Sequence, residues 1–121
     1  MIKLLIVEDE PAMLRLLKNA LEEENMYDIC EATYGAQALE VIKNEKPQVI
    51  VLDIMLADVS GMDILKKVKE MDSSIQVIII TILTDKSFEI GAEKLGAWKF
   101  FRKPFDINDF KQAVKEAAES L

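Results

Sequence analysis

Short apolar runs recur along this chain and alternate with longer amphipathic stretches, a pattern that few folds accommodate. The runs are Leu4–Val7, Tyr27–Ala32, Val49–Leu52, Val77–Ile80 and Trp98–Phe101. Apart from the more mixed second run, they lack the apolar–polar alternation of a strand with one wet face, and so suit parallel strands covered on both sides. Between them, apolar residues fall at helical spacing. Leu14, Leu17 and Leu21 mark the first stretch, Ala38, Leu39 and Ile42 the second, and Ile64, Leu65 and Val68 the third. A fainter fourth runs from about Phe88 to Leu95 and carries Gly91, and from about Ile107 a stripe collects Phe110, Val114, Ala117 and Leu121. Pro11 suits a first helical turn, and Asp106 or Asn108 a cap for the last helix. Strands strictly alternating with helices, at the spacing of crossover connections, predict a three-layer α/β sandwich around a parallel sheet.

With 121 residues there is room for one core, so residues 1–121 are expected to form a single domain. Half the residues are apolar and 31% are charged, a globular composition. A net charge of −7 sets the chain against holding nucleic acid by itself. Cys30 is the only cysteine, so no internal disulfide points to secretion. Histidine is absent, which excludes Ser-His-Asp and Cys-His nucleophile pairs, histidine-ligated zinc and phosphohistidine chemistry on this chain. The apolar opening Met1–Val7 meets Glu8, Asp9 and Glu10 too soon for a signal peptide. The longest apolar stretches fall well short of the ~20 residues of a membrane span. The expectation is a cytoplasmic domain with neither a membrane nor a nucleic-acid partner.

In an open parallel sheet, ligands gather outside the carboxyl ends of the strands. Glu8, Asp9 and Glu10 follow the first run, Asp53 the third, Thr81 the fourth, and Arg102, Lys103 and Pro104 the fifth; the second offers little beyond Thr33. Singly, each has an ordinary reading as a solvated loop, cap, turn or strand-end residue. Together, at the ends of different strands, they describe one rim with three or four carboxylates, a hydroxyl and one or two cations. Carboxylates pushed together resist ionising unless a cation sits among them. Magnesium prefers oxygen ligands and binds through one or two carboxylates plus a phosphate. Lys103 supplies a point charge for a phosphate oxygen, Thr81 a hydroxyl donor, and a carboxylate can itself receive a phosphoryl group. The rim reads as a magnesium-dependent phosphoryl site. The remaining candidates, Met13, Met62, Met71, Cys30, Asp58, Asp63, Asp72, Thr84 and Asp85, read as core, filler, turn and cap residues.

These segments resemble the receiver domains of bacterial two-component response regulators over essentially the whole length. The resemblance rests on Leu4-Leu5-Ile6-Val7-Glu8-Asp9-Glu10, Val51-Leu52-Asp53-Ile54-Met55-Leu56 with Gly61, Val77-Ile78-Ile79-Ile80-Thr81, Leu95-Gly96-Ala97 and Phe101-Arg102-Lys103-Pro104-Phe105. It implies a flavodoxin-like sandwich with strand order 2-1-3-4-5. It further implies Asp53 as phosphoacceptor, with magnesium, or manganese in its place, held by Glu8, Asp9, Asp53 and the backbone carbonyl of Met55. Thr81, Lys103 and the backbone of Ile82 would meet the phosphoryl group, and Phe100 would be the aromatic that reports its presence to the face of helix four, strand five and helix five. The implied partners are a sensor histidine kinase or phosphotransfer protein and a downstream output protein or domain, with homodimerisation on activation left open. The chain would catalyse only its own phosphotransfer and dephosphorylation.

The chain departs from the family pattern in four places. Ile82 stands where a small residue is usual, Ala57 where proline is frequent, Glu8 where aspartate is common, and Phe100 lacks a tyrosine hydroxyl. Three rival readings fit less well. A haloacid-dehalogenase-type enzyme needs an Asp-x-Asp pair that Asp9-Glu10-Pro11 does not supply. A flavodoxin-type binder wants a Ser/Thr/Gly-rich phosphate loop where this chain is acidic. A receiver that has lost phosphorylation would lack acceptor residues that are all present here.

Overall fold

The computed structural model describes residues 1–121, and strand and helix alternate without exception. The elements are β1 (Ile2–Val7), α1 (Pro11–Glu22), β2 (Tyr27–Ala32), α2 (Gly35–Glu45), β3 (Val49–Asp53), α3 (Gly61–Met71), β4 (Gln76–Thr81), α4 (Lys86–Lys94), β5 (Lys99–Arg102) and α5 (Ile107–Glu119). All five strands are parallel, in the order β2-β1-β3-β4-β5. The expected three-layer sandwich and strand order are both present. No helix is long and apolar enough to cross a membrane.

Because successive strand residues face opposite sides, the continuous apolar runs supply two separate cores. Leu5, Val7, Ile50, Leu52, Val77 and Ile79 pack under α2, α3 and α4 with Ala38, Ile42, Ile64, Leu65, Val68 and Ala92. Leu4, Ile6, Val49, Val51, Ile78 and Ile80 pack under α1 and α5 with Leu17, Leu21, Phe110, Val114 and Ala117. The central strands β1, β3 and β4 need both faces covered, so after Lys3 and Gln76 at their amino ends they carry no polar residue until their carboxyl ends.

Those ends differ slightly from the sequence expectation. Asp53, Thr81 and Arg102 are the last residues of their strands and sit in the ladder, opposite Ile80, Arg102 and Thr81 respectively. Trp98 lies just before β5, its amide bonded to the Val77 carbonyl. Asp106 caps α5 by accepting from the amides of Asn108 and Asp109, so Asn108 is not the cap. Leu121 lies beyond the end of α5 and is half exposed, because the helix stops at Glu119 before the stripe reaches it. Ser60 and Asp85 cap α3 and α4. Gly96 closes α4 at φ +93°, a left-handed conformation that side chains rarely adopt.

Candidate functional site

Glu8 directly follows β1, and its amide donates to the Ala32 carbonyl at 3.0 Å, carrying the ladder one residue past the strand. This holds its carboxylate inside the rim, with no solvent exposure. Asp53 ends β3, only 3% exposed, and Thr81 ends β4, fully buried. Lys103 follows β5 and is fixed by its amide, which donates to the Thr81 carbonyl at 2.7 Å. From there its Nζ reaches both acids, 2.6 Å from Glu8 Oε1 and 2.8 Å from Asp53 Oδ2. Asp9 is exposed, yet one carboxylate oxygen each from Glu8, Asp9 and Asp53 lie within 4.8 Å of one another.

The remaining bonds fix the carboxylates' orientation. Asp53 Oδ1 accepts from the Met55 amide at 2.9 Å, and Glu8 Oε2 from the Glu10 amide at 3.3 Å. Thr81 Oγ1 accepts from the Leu83 amide at 3.0 Å, which leaves the hydroxyl proton free to donate. Burial pushes the Glu8 carboxyl up from 4.5 to about 7, and hydrogen bonding with Asp53 adds to this while Lys103 opposes it. Burial alone would lower the Lys103 ammonium, but its bonds to Asp53 and Glu8 outweigh it and hold the group above its ordinary value.

Three carboxylates face one ammonium, so when ionised the site holds excess negative charge. Its donors are all hard oxygens, close together and partly open to solvent through Asp9. That set fits magnesium or manganese and offers nothing to a soft metal.

The other sequence candidates fall around this centre. The Met55 side chain is exposed, while its backbone pairs with Ser60 in an isolated bridge across the β3–α3 loop. Ile82 directly follows the buried Thr81 and is 59% exposed, so its side chain is not part of the buried rim. Phe100 is partly buried against the core under α2, α3 and α4, and the Arg102 guanidinium lies 5.4 Å from its ring centre. Arg102 corrects the expectation of a second rim cation: strand alternation turns it towards α4, where it pairs with Glu89 at 3.1 Å. Lys103 alone serves the acids. Asp58, read as a local turn residue, accepts from the amides of Gly35 and Ala36 at the start of α2. The sequence held no signal for that contact, because its partners lie 23 and 22 residues upstream.

A doubly wound sheet with three clustered carboxylates that could hold a cation and a mostly buried lysine at its carboxyl rim fits the class of phosphoryl-accepting α/β domains. The chain belongs to the response regulator receiver domain family, whose model matches residues 4–115. It is 36% identical over 114 residues to the sporulation initiation phosphotransferase F of Bacillus subtilis, covering 94% of this chain and 91% of that one. It is 30% identical over 119 residues to the chemotaxis protein CheY of Listeria monocytogenes, covering 98% and 100% respectively. A CheY-like receiver domain protein from Methanospirillum hungatei superposes with a TM-score of 0.93 at 27% identity, covering 99% of this chain and 95% of that one. Receiver domains of two-component systems are phosphoacceptor switches that bind magnesium at an acidic site and work with histidine kinases, phosphotransfer proteins and output domains. The cluster of Glu8, Asp9 and Asp53 fits that phosphoacceptor site.

Proposed function

We propose that Asp53 is the residue that takes the phosphoryl group from a sensor histidine kinase or phosphotransfer protein, with residues 1–121 acting as one cytoplasmic receiver unit. The observation that carries this is the Asp53 carboxylate itself, buried at the end of β3, clamped between the Lys103 ammonium and the Met55 amide beside two further acids. In the transfer, one carboxylate oxygen of Asp53 bonds to phosphorus as the bond from phosphorus to the donor's imidazole nitrogen breaks and its electron pair stays on nitrogen. Glu8, Asp9, Asp53 and the Met55 carbonyl would hold magnesium, which when bound supplies the positive charge that lets phosphoryl oxygens approach this acidic rim. Lys103 keeps a charged partner throughout, passing from the carboxylate to the phosphoryl oxygens.

Thr81 has a free hydroxyl proton to donate to that group, and the backbone amide of Ile82 is its neighbour. The modification thus creates acceptors that did not exist before, and any arrangement of β4 and α4 that satisfies them is favoured. Phe100, against the same core as α4, would carry that change to the surface of α4, β5 and α5, where an output partner or a second receiver docks. Autodephosphorylation uses the same residues, with water as the acceptor.

Intact-mass measurement with acetyl phosphate, with and without magnesium, on the native chain and Asp53→Asn tests the assignment. The expected result is a gain of one phosphoryl group that requires both magnesium and Asp53. No gain, and no adduct with beryllofluoride, overturns it.

A further inference from the structure

Residues 54–60 connect β3 to α3 and carry the Met55 amide that orients Asp53. No residue from Ile54 to Ser60 is a proline, so nothing in the loop's own chemistry fixes its φ angles. Internally the loop is closed by the Met55–Ser60 bridge and by the Gly61 amide donating to the Ile54 carbonyl at 2.7 Å. One flank faces an open, mostly apolar cleft shared with Leu83 and Phe88. Beyond Ile54, whose amide donates to the Ile80 carbonyl of β4 at 3.2 Å, the only element this loop hydrogen-bonds apart from the strand and helix that it connects is α2. It does so through one side chain: Asp58 Oδ1 accepts from the Gly35 amide at 2.7 Å and Oδ2 from the Ala36 amide at 2.9 Å.

Two features show that this contact is built closely. α2 has no cap from its own preceding residue, Tyr34, so its first free amides are satisfied by Asp58 alone. Glycine at 35 leaves the space the loop needs: a Cβ there would stand 2.1 Å from Val59 Cγ2 and 3.1 Å from Asp58 Oδ1. The two amides also hold the Asp58 carboxyl below its ordinary value, as expected for a carboxylate that accepts both.

Resting on the receiver reading above, we infer that Asp58 is a positioning residue for the magnesium and phosphoryl site, tying the β3–α3 loop to the amino end of α2 so that Met55 presents its amide to Asp53 and its carbonyl to the metal. Asp58 touches neither metal nor phosphoryl group. It acts by restricting the loop that carries one ligand and orients another, much as partners behind a metal's direct ligands set affinity.

The test compares native chain, Asp58→Ala, Asp58→Asn and Asp72→Ala. Asp72 makes a similar local contact, accepting from the Ser74 amide and hydroxyl in the loop after α3, so its loss serves as a control for general destabilisation. Magnesium affinity is read by calorimetry, and amide hydrogen exchange is followed in chelator-treated protein. Asp58→Ala is expected to weaken magnesium binding by about tenfold, within the range seen when a ligand's supporting partner is removed. It should also speed exchange of the Gly35, Ala36 and Met55 amides, and slow acetyl phosphate labelling at low magnesium but not at saturation. Asp58→Asn keeps one acceptor oxygen and should fall between, and it serves if the alanine variant does not fold. Asp72→Ala should leave magnesium affinity within twofold of native.

Native affinity in Asp58→Ala, or an equal loss in Asp72→Ala, would overturn the role of Asp58 while leaving the receiver reading intact. Absence of magnesium binding by the native chain would overturn both.

Discussion

As a proposed magnesium ligand, Glu8 would couple proton and metal at a single buried carboxylate. The unfolded chain releases this proton near pH 4.5, the metal-free native chain near 7. Between those values the native state keeps a proton that the unfolded state has lost. The stability contributed by neutral Glu8 is therefore fully present below pH 4.5 and is lost as pH rises through 7. Thermal unfolding in chelator should show the native chain losing stability between pH 5 and 8, with Glu8→Gln losing less. Magnesium held by Glu8 would have to displace that proton, so its affinity should climb with pH up to about 7 and then level, with proton release below 7. Calorimetry in two buffers of different ionisation enthalpy reads the released proton directly, and an affinity flat from pH 5 to 8 would contradict the buried position of Glu8. Glu8, Asp9, Asp53, Thr81 and Lys103 were legible in the sequence because each follows or ends an apolar run. The direction of Arg102 was not, since alternation decides its face only once the register of β5 is fixed.

At the scale of the elements, two glycines separate close packing from mere conformational freedom. A Cβ on Gly61 would lie 2.2 Å from the Asp53 carbonyl oxygen and 2.7 Å from Ile54 Cα, both backbone atoms that cannot yield cheaply. Gly61→Ala should destabilise by about 1–3 kcal/mol through this overpacking and lower acetyl phosphate labelling, because the displaced backbone carries Asp53, the proposed acceptor. Gly91, inside α4, meets only the flexible end of Met62, at 3.2 Å. Gly91→Ala should instead stabilise by about 0.5–1 kcal/mol as a helix-interior glycine replaced by alanine. Urea midpoints of the two variants should thus move in opposite directions. The faint helical pattern from Phe88 to Leu95 has a packing cause: α4 buries only Ala92 fully, so little apolar periodicity is written into it. Leu121 fell outside the helix for the complementary reason, as periodicity carries no information on where hydrogen bonding stops.

For the whole molecule, the sheet separates two cores, one on each face. Phe110 is fully buried under the sheet face covered by α1 and α5, against Phe101 and Phe105 with ring centres 6.1 and 5.5 Å away. Phe110→Ala should cost about 3–5 kcal/mol, as for large aromatic-to-alanine changes in cores. At temperatures where that variant is still folded, magnesium affinity should stay close to native, because none of the hydrogen bonds that fix the rim acids and lysine involves Phe110; a parallel loss would show this core and the rim to be mechanically joined. The three layers and the strand order were readable from the apolar runs and the family resemblance. Contacts such as Lys103 with Glu8, 95 residues apart, became visible only when the layers closed. Those contacts also act as a checksum on strand alignment. Each acid follows or ends a strand paired in a fixed parallel register, with Val7 opposite Leu52 and Asp53 opposite Ile80. A slip of one residue would turn every side chain of the misaligned strand to the wrong face and scatter the oxygens. A chain that binds magnesium with native affinity has, by that fact alone, aligned its inner strands correctly.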